Sequence, residues 1–333
     1  RAKECWRERP PEKDSMKTEI FILLLSGAVS AALCAVAIPF LKRMNARQYI
    51  LGYVEEHKSK GGTPTMGGLA FLLAAALCAI PLGLYADKLS AVALTFGLAY
   101  MGVGFLDDFL KFRFRRNLGL KAYQKIIFQI VIALIAGVFC YLNDLTVLHI
   151  PFTKLSFDIG IWIIPFAAFA FVAATNCVNL TDGLDGLAAS VSFLYFAALG
   201  AVFFLLSGRE GMPLVYLSLV LCGVLAGYLL FNTNRASVFM GDTGSLGLGG
   251  FVSAISAFSG NLLYILVIGI MFVCSGISVI LQVIYYKRTK KRIFLMAPLH
   301  HHFQKKGYAE AKIVYAYSLA TAVAGVACLF FVL

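Results

Sequence analysis

The chain has 333 residues, of which 60% are hydrophobic and only 14% charged, with a mean hydropathy of +0.83. Soluble domains average roughly 45–50% apolar and about 25% charged residues, so a soluble multidomain enzyme is excluded and an all-α polytopic membrane protein is expected. The net charge of +12 suits lysine- and arginine-rich loops on the cytoplasmic side, and anionic lipids or substrates there.

Residues 1–15 are polar and charged, unlike the apolar run after them, and are set aside as an extension or tag remnant; residues 16–333 read as one integral-membrane domain. A helix needs about 20 largely apolar residues to span a bilayer. Ten segments qualify: 18–41, 66–86, 89–107, 123–142, 160–177, 187–207, 212–231, 244–259, 262–286 and 313–333. The ninth is long and interrupted by Gly269 and Gly276, so a bend or break is expected in it. The odd-numbered loops carry 19 lysines and arginines and the even-numbered ones 3. That asymmetry puts the odd loops in the cytoplasm and both termini outside. One external loop, 145–157, alternates apolar and polar residues around Pro151 and predicts a small β-hairpin, with His149 structural. The eight cysteines are scattered, with no CxxC pair, and read as small core residues.

The chemistry-bearing motifs all fall on the odd loops. Lys58 and Lys60 precede a turn, Gly62-Thr63-Pro64-Thr65-Met66-Gly67-Gly68, that leads into the second span. Backbone N–H groups at such a helix start attract anions, and Lys60 adds charge, though the spacing is not that of a P-loop. The third span ends in Asp107-Asp108, followed by Lys111, Arg113, Arg115 and Arg116. Two carboxylates at a membrane border call for a cation or basic partners. Between the fifth and sixth spans lies Asn176-Cys177-Val178-Asn179-Leu180-Thr181-Asp182-Gly183-Leu184-Asp185-Gly186. Its Asn179 sequon is irrelevant on a cytoplasmic loop. Asp185-Gly186-Leu187-Ala188-Ala189-Ser190 lacks the arginine and downstream aspartate of lipid-head alcohol transferases. The fourth cytoplasmic loop holds Asn232, Phe239 and Gly241-Asp242-Thr243-Gly244-Ser245, suited to a metal-binding carboxylate in a phosphate-accepting turn. The last holds His300-His301-His302 among eight basic residues. Three adjacent histidines cannot all face one ion with relaxed geometry, so phosphate binding or proton transfer is expected of them.

Taken in order, Gly62 to Gly68, Asp107-Asp108, Asn179 to Gly186, Phe239 to Ser245 and Pro298 to Phe303 resemble the phospho-N-acetylmuramoyl-pentapeptide transferase family over residues 16–333. Residues 1–15 depart from the family pattern. The resemblance implies ten spanning helices, external termini, a bacterial inner-membrane location with a cytoplasmic active site, and a homodimer. It implies magnesium dependence, with manganese as a substitute. It also implies transfer of phospho-MurNAc-pentapeptide from UDP to undecaprenyl phosphate, releasing UMP.

By the same resemblance Asp242 ligates magnesium. Asp107 deprotonates or orients the lipid phosphate with Asp108 alongside, Asp182 organises the centre, and His301 joins the catalytic group. Gly183, Leu184 and Asp185 match the uracil-contacting segment, and Phe239 the ring that stacks on uracil. Lys60, Thr65, Lys125, Asn179, Asn232, His300 and His302 are expected contacts to nucleotide, phosphates or sugar. Direct attack of the lipid phosphate is favoured over a phospho-aspartate intermediate, because one metal can clamp both anionic oxygens. The rivals are a sister transferase using UDP-GlcNAc and a transporter of anionic nucleotides or lipids. A transporter predicts charges buried mid-span and internal repeats, neither of which the sequence displays.

Overall fold

The computed structural model describes residues 13–44, 62–114 and 119–333. The expectations for residues 1–12, Lys58, Lys60, Arg115 and Arg116 lie outside the described residues.

In hydrocarbon the backbone must satisfy its own hydrogen bonds, so long apolar runs become helices. The helices are α1 (Lys13–Arg43), α2 (Gly68–Ala79), α3 (Lys88–Phe114), α4 (Ala122–Leu142), α5 (Ile163–Thr181) and α6 (Leu187–Ser207). They continue with α7 (Met212–Asn232), α8 (Gly241–Phe258), α9 (Tyr264–Val267), α10 (Ile270–Thr289), α11 (Leu299–Lys305) and α12 (Glu310–Val332). Eight of these are long and apolar enough to cross a membrane: α1, α3, α4, α5, α6, α7, α10 and α12.

The differences from the expected spans have physical reasons. The second span is helical only over Gly68–Ala79; Pro81 beyond it offers no N–H to continue the ladder. The ninth divides at Gly269 into α9 and α10, the break its glycines suggested. At the polar end the helices run past the apolar segments. Helix α3 continues through Asp107-Asp108 to Phe114, α5 through Asn179 to Thr181, and α7 takes in Asn232. Asp108, Asn179, Asn232 and Asp242 are therefore helical residues, not loop residues. Helix α3 starts on an Asp87 cap, whose Oδ2 accepts from Ser90 N at 2.9 Å.

Helix α8 is the pillar of the bundle. Every residue from Thr243 to Phe258 is buried, with α2, α3 and α5 packed against it. A Cβ on Gly104 would come within 2.0 Å of the Asp242 carbonyl oxygen, so glycine there lets α3 and α8 close to backbone contact. Helices α1 and α7 pack through small residues, and Ser30 Oγ donates to Val224 O across them at 2.7 Å. Such interhelical bonds contribute about 1 kcal/mol each in lipid.

Strands β1 (Val147–His149) and β2 (Ser156–Asp158) form the expected antiparallel hairpin, with Leu148 opposite Phe157. His149 N donates to Gly260 O at 2.9 Å, docking it on the turn after α8. The hairpin joins the end of α4 to the start of α5. The end of α3, start of α4, end of α5 and start of α8 meet at the opposite end of the bundle. Of the cysteines, Cys34, Cys78, Cys140, Cys222 and Cys328 are buried, and Cys177 and Cys274 half-buried, all as free thiols.

Candidate active site

Four helix ends converge on Asp242. It sits in the first turn of α8, where the helix dipole favours a carboxylate. Gly241 before it has φ +69°, and a Cβ there would meet Asp108 Oδ2 at 2.4 Å and Thr65 Oγ1 at 2.8 Å. Glycine is thus required both by the turn and by the close approach of Thr65 and Asp108. Asp107 and Asp108 enter from α3, 1% and 3% exposed. Asp108 Oδ2 accepts from Thr243 N at 2.8 Å and from Thr243 Oγ at 2.7 Å, which locks α3 to α8. Asp107 Oδ1 accepts from Leu120 N at 2.8 Å.

Two lysines face these carboxylates. Lys111, one turn beyond Asp107, places Nζ 2.6 Å from Asp107 Oδ2, 3.0 Å from Asp242 Oδ2 and 3.5 Å from Asp108 Oδ1. Lys125, in the first turn of α4, places Nζ 2.6 Å from Asp242 Oδ2 and 3.6 Å from Asp107 Oδ2. Asn179 of α5 donates through Nδ2 to Asp242 Oδ1 and to Ser245 Oγ, each at 2.8 Å. Removing one partner from such a buried charge cluster typically costs about 3–5 kcal/mol.

The aspartate triad fits a cation. Asp107, Asp108 and Asp242 offer oxygens that all lie within 4.8 Å of one another. A compact carboxylate-only set suits a hard divalent ion such as magnesium. The buried Asp107 Oδ2 has positive charge as its partner, Lys111 Nζ at 2.6 Å and Lys125 Nζ at 3.6 Å. The Lys111 ammonium, which faces it, stands between all three carboxylates, where positive charge is called for.

A second group lies beside the first. Asp182 caps the end of α5, and burial, together with the Asp242, Asp108 and Asp185 carboxylates, holds its carboxyl well above the usual range. Leu184 is buried, 4% exposed, so its side chain anchors the turn. Asp185 Oδ2 accepts from Ala236 N at 3.0 Å. Asn232 spends its carboxamide on Gly186 N (3.0 Å) and Val238 O (2.8 Å), tying the 182–186 turn to the 232–240 loop. Phe239 is half-buried, and its N donates to Pro64 O at 2.8 Å, so the turn at 62–68 closes the same side.

The three histidines point to different neighbours on the short helix α11. His300 is buried, and a Cβ on Gly183 would meet its Nε2 at 2.2 Å. His301 Nδ1 pairs with Gln304 Oε1 at 2.9 Å. His302 Nδ1 accepts from Leu295 N at 3.1 Å, and burial, then Lys306, pull it below its ordinary pKa. Among the described residues the three rings do not form a group placed to hold one ion.

The structure thus gathers Thr65, Asp107, Asp108, Lys125, Asn179 and Asp242, and sets Asp182 to Asp185, Asn232, Phe239 and His300 beside them. Sequence reasoning missed Lys111, Thr243 and Ser245 as site residues. The signal for Lys111 is its i,i+4 spacing from Asp107, which the surrounding run of bases masks.

Residues 90–260 match glycosyl transferase family 4. The chain is 42% identical over 310 residues to the phospho-N-acetylmuramoyl-pentapeptide transferase of Caldanaerobacter subterraneus subsp. tengcongensis, covering 92% of this chain and 96% of that one. It is 39% identical over 315 residues to the protein of the same name from Bacillus subtilis, with 92% and 96% covered. The Listeria monocytogenes protein of that name is 40% identical over 305 residues, with 89% and 93% covered.

Proposed function

The chain belongs to the phospho-N-acetylmuramoyl-pentapeptide transferase family, and from that premise we propose the reaction its site performs. The substrates are UDP-MurNAc-pentapeptide and undecaprenyl phosphate; the products are undecaprenyl-diphospho-MurNAc-pentapeptide and UMP. The observation that carries this reading is the cluster of three carboxylates and two lysines where four helix ends meet.

Phosphoryl transfer needs positioning and charge neutralisation more than covalent help. A lipid phosphate and a diphosphate repel one another, and Lys111 and Lys125 supply positive charge between them. Asp242, with Asp107 and Asp108 in reach, would hold a magnesium ion, which would supply charge screening of the phosphate oxygens. Asp107 orients the lipid phosphate and accepts its proton where one is present. A lipid phosphate oxygen forms a bond to the β-phosphorus of the donor. The bond from that phosphorus to the bridging oxygen breaks, and its electron pair leaves with UMP. The turn at Gly183, Leu184 and Asp185 and the ring of Phe239 flank the place for uracil, while His300 and His301 line the sugar-phosphate side. The buried carboxylate network keeps these groups rigid before substrate arrives.

Ten helical segments, α9 and α10 together forming the ninth, cross the bacterial inner membrane. The basic loops and the site face the cytoplasm, and the hairpin and both termini lie outside. The protein acts as a homodimer. Support for this orientation comes from loop charge and from the placement of hairpin and site at opposite ends of the bundle.

The test is UMP release by purified protein with undecaprenyl phosphate, comparing UDP-MurNAc-pentapeptide with UDP-GlcNAc, each with magnesium or EDTA. Magnesium-dependent release with the pentapeptide donor is expected, falling by at least about a hundredfold in Asp242→Asn. Release with UDP-GlcNAc alone would move the protein to the sister activity.

A further inference from the structure

Beneath the aspartate centre, helices α3, α4 and α5 meet again through polar groups that the reaction does not touch. Gln129 of α4 is fully buried, one turn below Lys125. Its Oε1 accepts from Asn176 Nδ2 of α5 at 2.6 Å, and Asn176 Nδ2 also donates to Val172 O at 2.8 Å. Asn176 in turn lies one turn before Asn179. On the third side Tyr100 Oη of α3, two turns before Asp107, donates to Gln129 O at 3.0 Å. Gln129 Nε2 is buried with no hydrogen-bond partner among the described residues.

A buried carboxamide in an apolar helix is costly unless paired. The location of this pair gives it a use. Lys125 and Asn179 contact opposite oxygens of one carboxylate, Asp242 Oδ2 and Oδ1. They arrive from the neighbouring ends of α4 and α5, so a slide of α4 along α5 would displace one relative to the other and break their shared grip on Asp242. Close packing also opposes such a slide, as where Gly137 of α4 meets the Ile164 backbone of α5. A directional hydrogen bond with one short geometry resists it strongly.

We infer that Gln129 and Asn176 are positioning residues: their buried amide bridge fixes the register of α4 on α5 and so holds Lys125 and Asn179 on Asp242. The consequence for turnover rests on the transferase reading; the register argument does not. A misplacement near 1 Å at the charge centre costs turnover by up to about a hundredfold.

Two readouts test this. In the first, Gln129→Leu lowers kcat by about tenfold or more with the donor KM little changed. That loss shrinks when Lys125→Met is already present, because one of the two contacts through which the bridge acts is gone. Exchanging the two lengths, Gln129→Asn with Asn176→Gln, restores most of what either single change removes. A purely structural role predicts the same loss in either background and no rescue by the exchange. In the second readout, acetic anhydride labels lysines in the detergent-solubilised protein without substrate. Lys125 reacts several-fold faster in Gln129→Leu, while Lys111 on α3 does not change. Should Gln129→Leu fail to fold, Asn176→Ala takes its place in both arms. Unchanged Lys125 labelling, or a loss undiminished in the Lys125→Met background, would overturn the inference. Labelling needs no turnover, so an inactive parental protein would overturn the transferase reading and leave the bridge to be judged on Lys125.

Discussion

At the scale of single residues, Thr243 makes the sharpest claim. Its N–H and hydroxyl both donate to Asp108 Oδ2, at 2.8 and 2.7 Å, and both partners are buried. A hydrogen bond to a buried charge contributes about 1.5–3 kcal/mol. Thr243→Val keeps the shape and removes the hydroxyl. It is expected to lower stability by about that amount, measured by unfolding in mixed detergent, and to lower turnover, since Asp108 loses one of its two fixed donors. Thr243→Ser should retain most of both. The role of Thr243 was not readable in the sequence, where it stood as one of several small residues in a turn; only the fold brings Asp108 to it from 135 positions away. Lys111 was closer to legible. A lysine four residues after an aspartate on one helix face is a pair by geometry, but the dominant explanation for a base at a membrane border is topology.

Helix ends are where sequence and structure part. Hydropathy falls where polar residues gather, so it ends the third and fifth spans before Asp108 and Asn179. The helices continue because those polar side chains find partners inside the bundle, and the continued helix is what aims them at Asp242. Hydropathy located the apolar bodies well, and the glycine-interrupted ninth span divided where its composition indicated. Gln129 is hidden for the opposite reason: it is a single polar residue inside an apolar run, marked only by its spacing from Lys125, while Asn176 stands in the 176–186 motif without its partner being legible. The connection between α10 and α11 shows how such an element is held. Gln282 Oε1 accepts from Ile293 N at 3.1 Å and Phe294 N at 3.0 Å, and His302 accepts from Leu295 N. The His302 bond requires the neutral ring. Burial and Lys306 depress its pKa, so the folded state binds fewer protons than the unfolded one. The stabilisation is complete above the unfolded value near 6.5 and is lost as pH falls through the lower folded value. Corrected for the intrinsic pH dependence of amide exchange, hydrogen exchange at Leu295 should therefore speed up on acidification from pH 7.5 to pH 5. In His302→Phe it should already be fast at pH 7.5, with the pH dependence gone.

The whole molecule separates two tasks along the bundle axis. One end carries the carboxylates, lysines and histidines; the other carries the short hairpin that latches onto the turn after α8. The buried pillar α8 connects them, and its first turn holds Asp242. The topology proposed for this arrangement is testable in intact cells. A cysteine in place of Lys154, in the hairpin connection, should react with a membrane-impermeant maleimide from outside. One in place of Arg288, at the end of α10, should react only after the cells are opened. The reverse pattern would invert the protein and detach the site from a cytoplasmic nucleotide donor.

The position of the Lys111 ammonium, between Asp107, Asp108 and Asp242, has a consequence for how the centre is loaded. The resting site is already a salt, with its counter-ion covalently tethered to α3. On the proposed reading, a divalent ion entering the triad would have to exchange for that ammonium, and exchange would be favourable only where the displaced charge finds another anion within reach of its four-carbon stem. The donor diphosphate is such an anion. Ion and nucleotide sugar would then load as one nearly neutral package, each bound more firmly in the presence of the other.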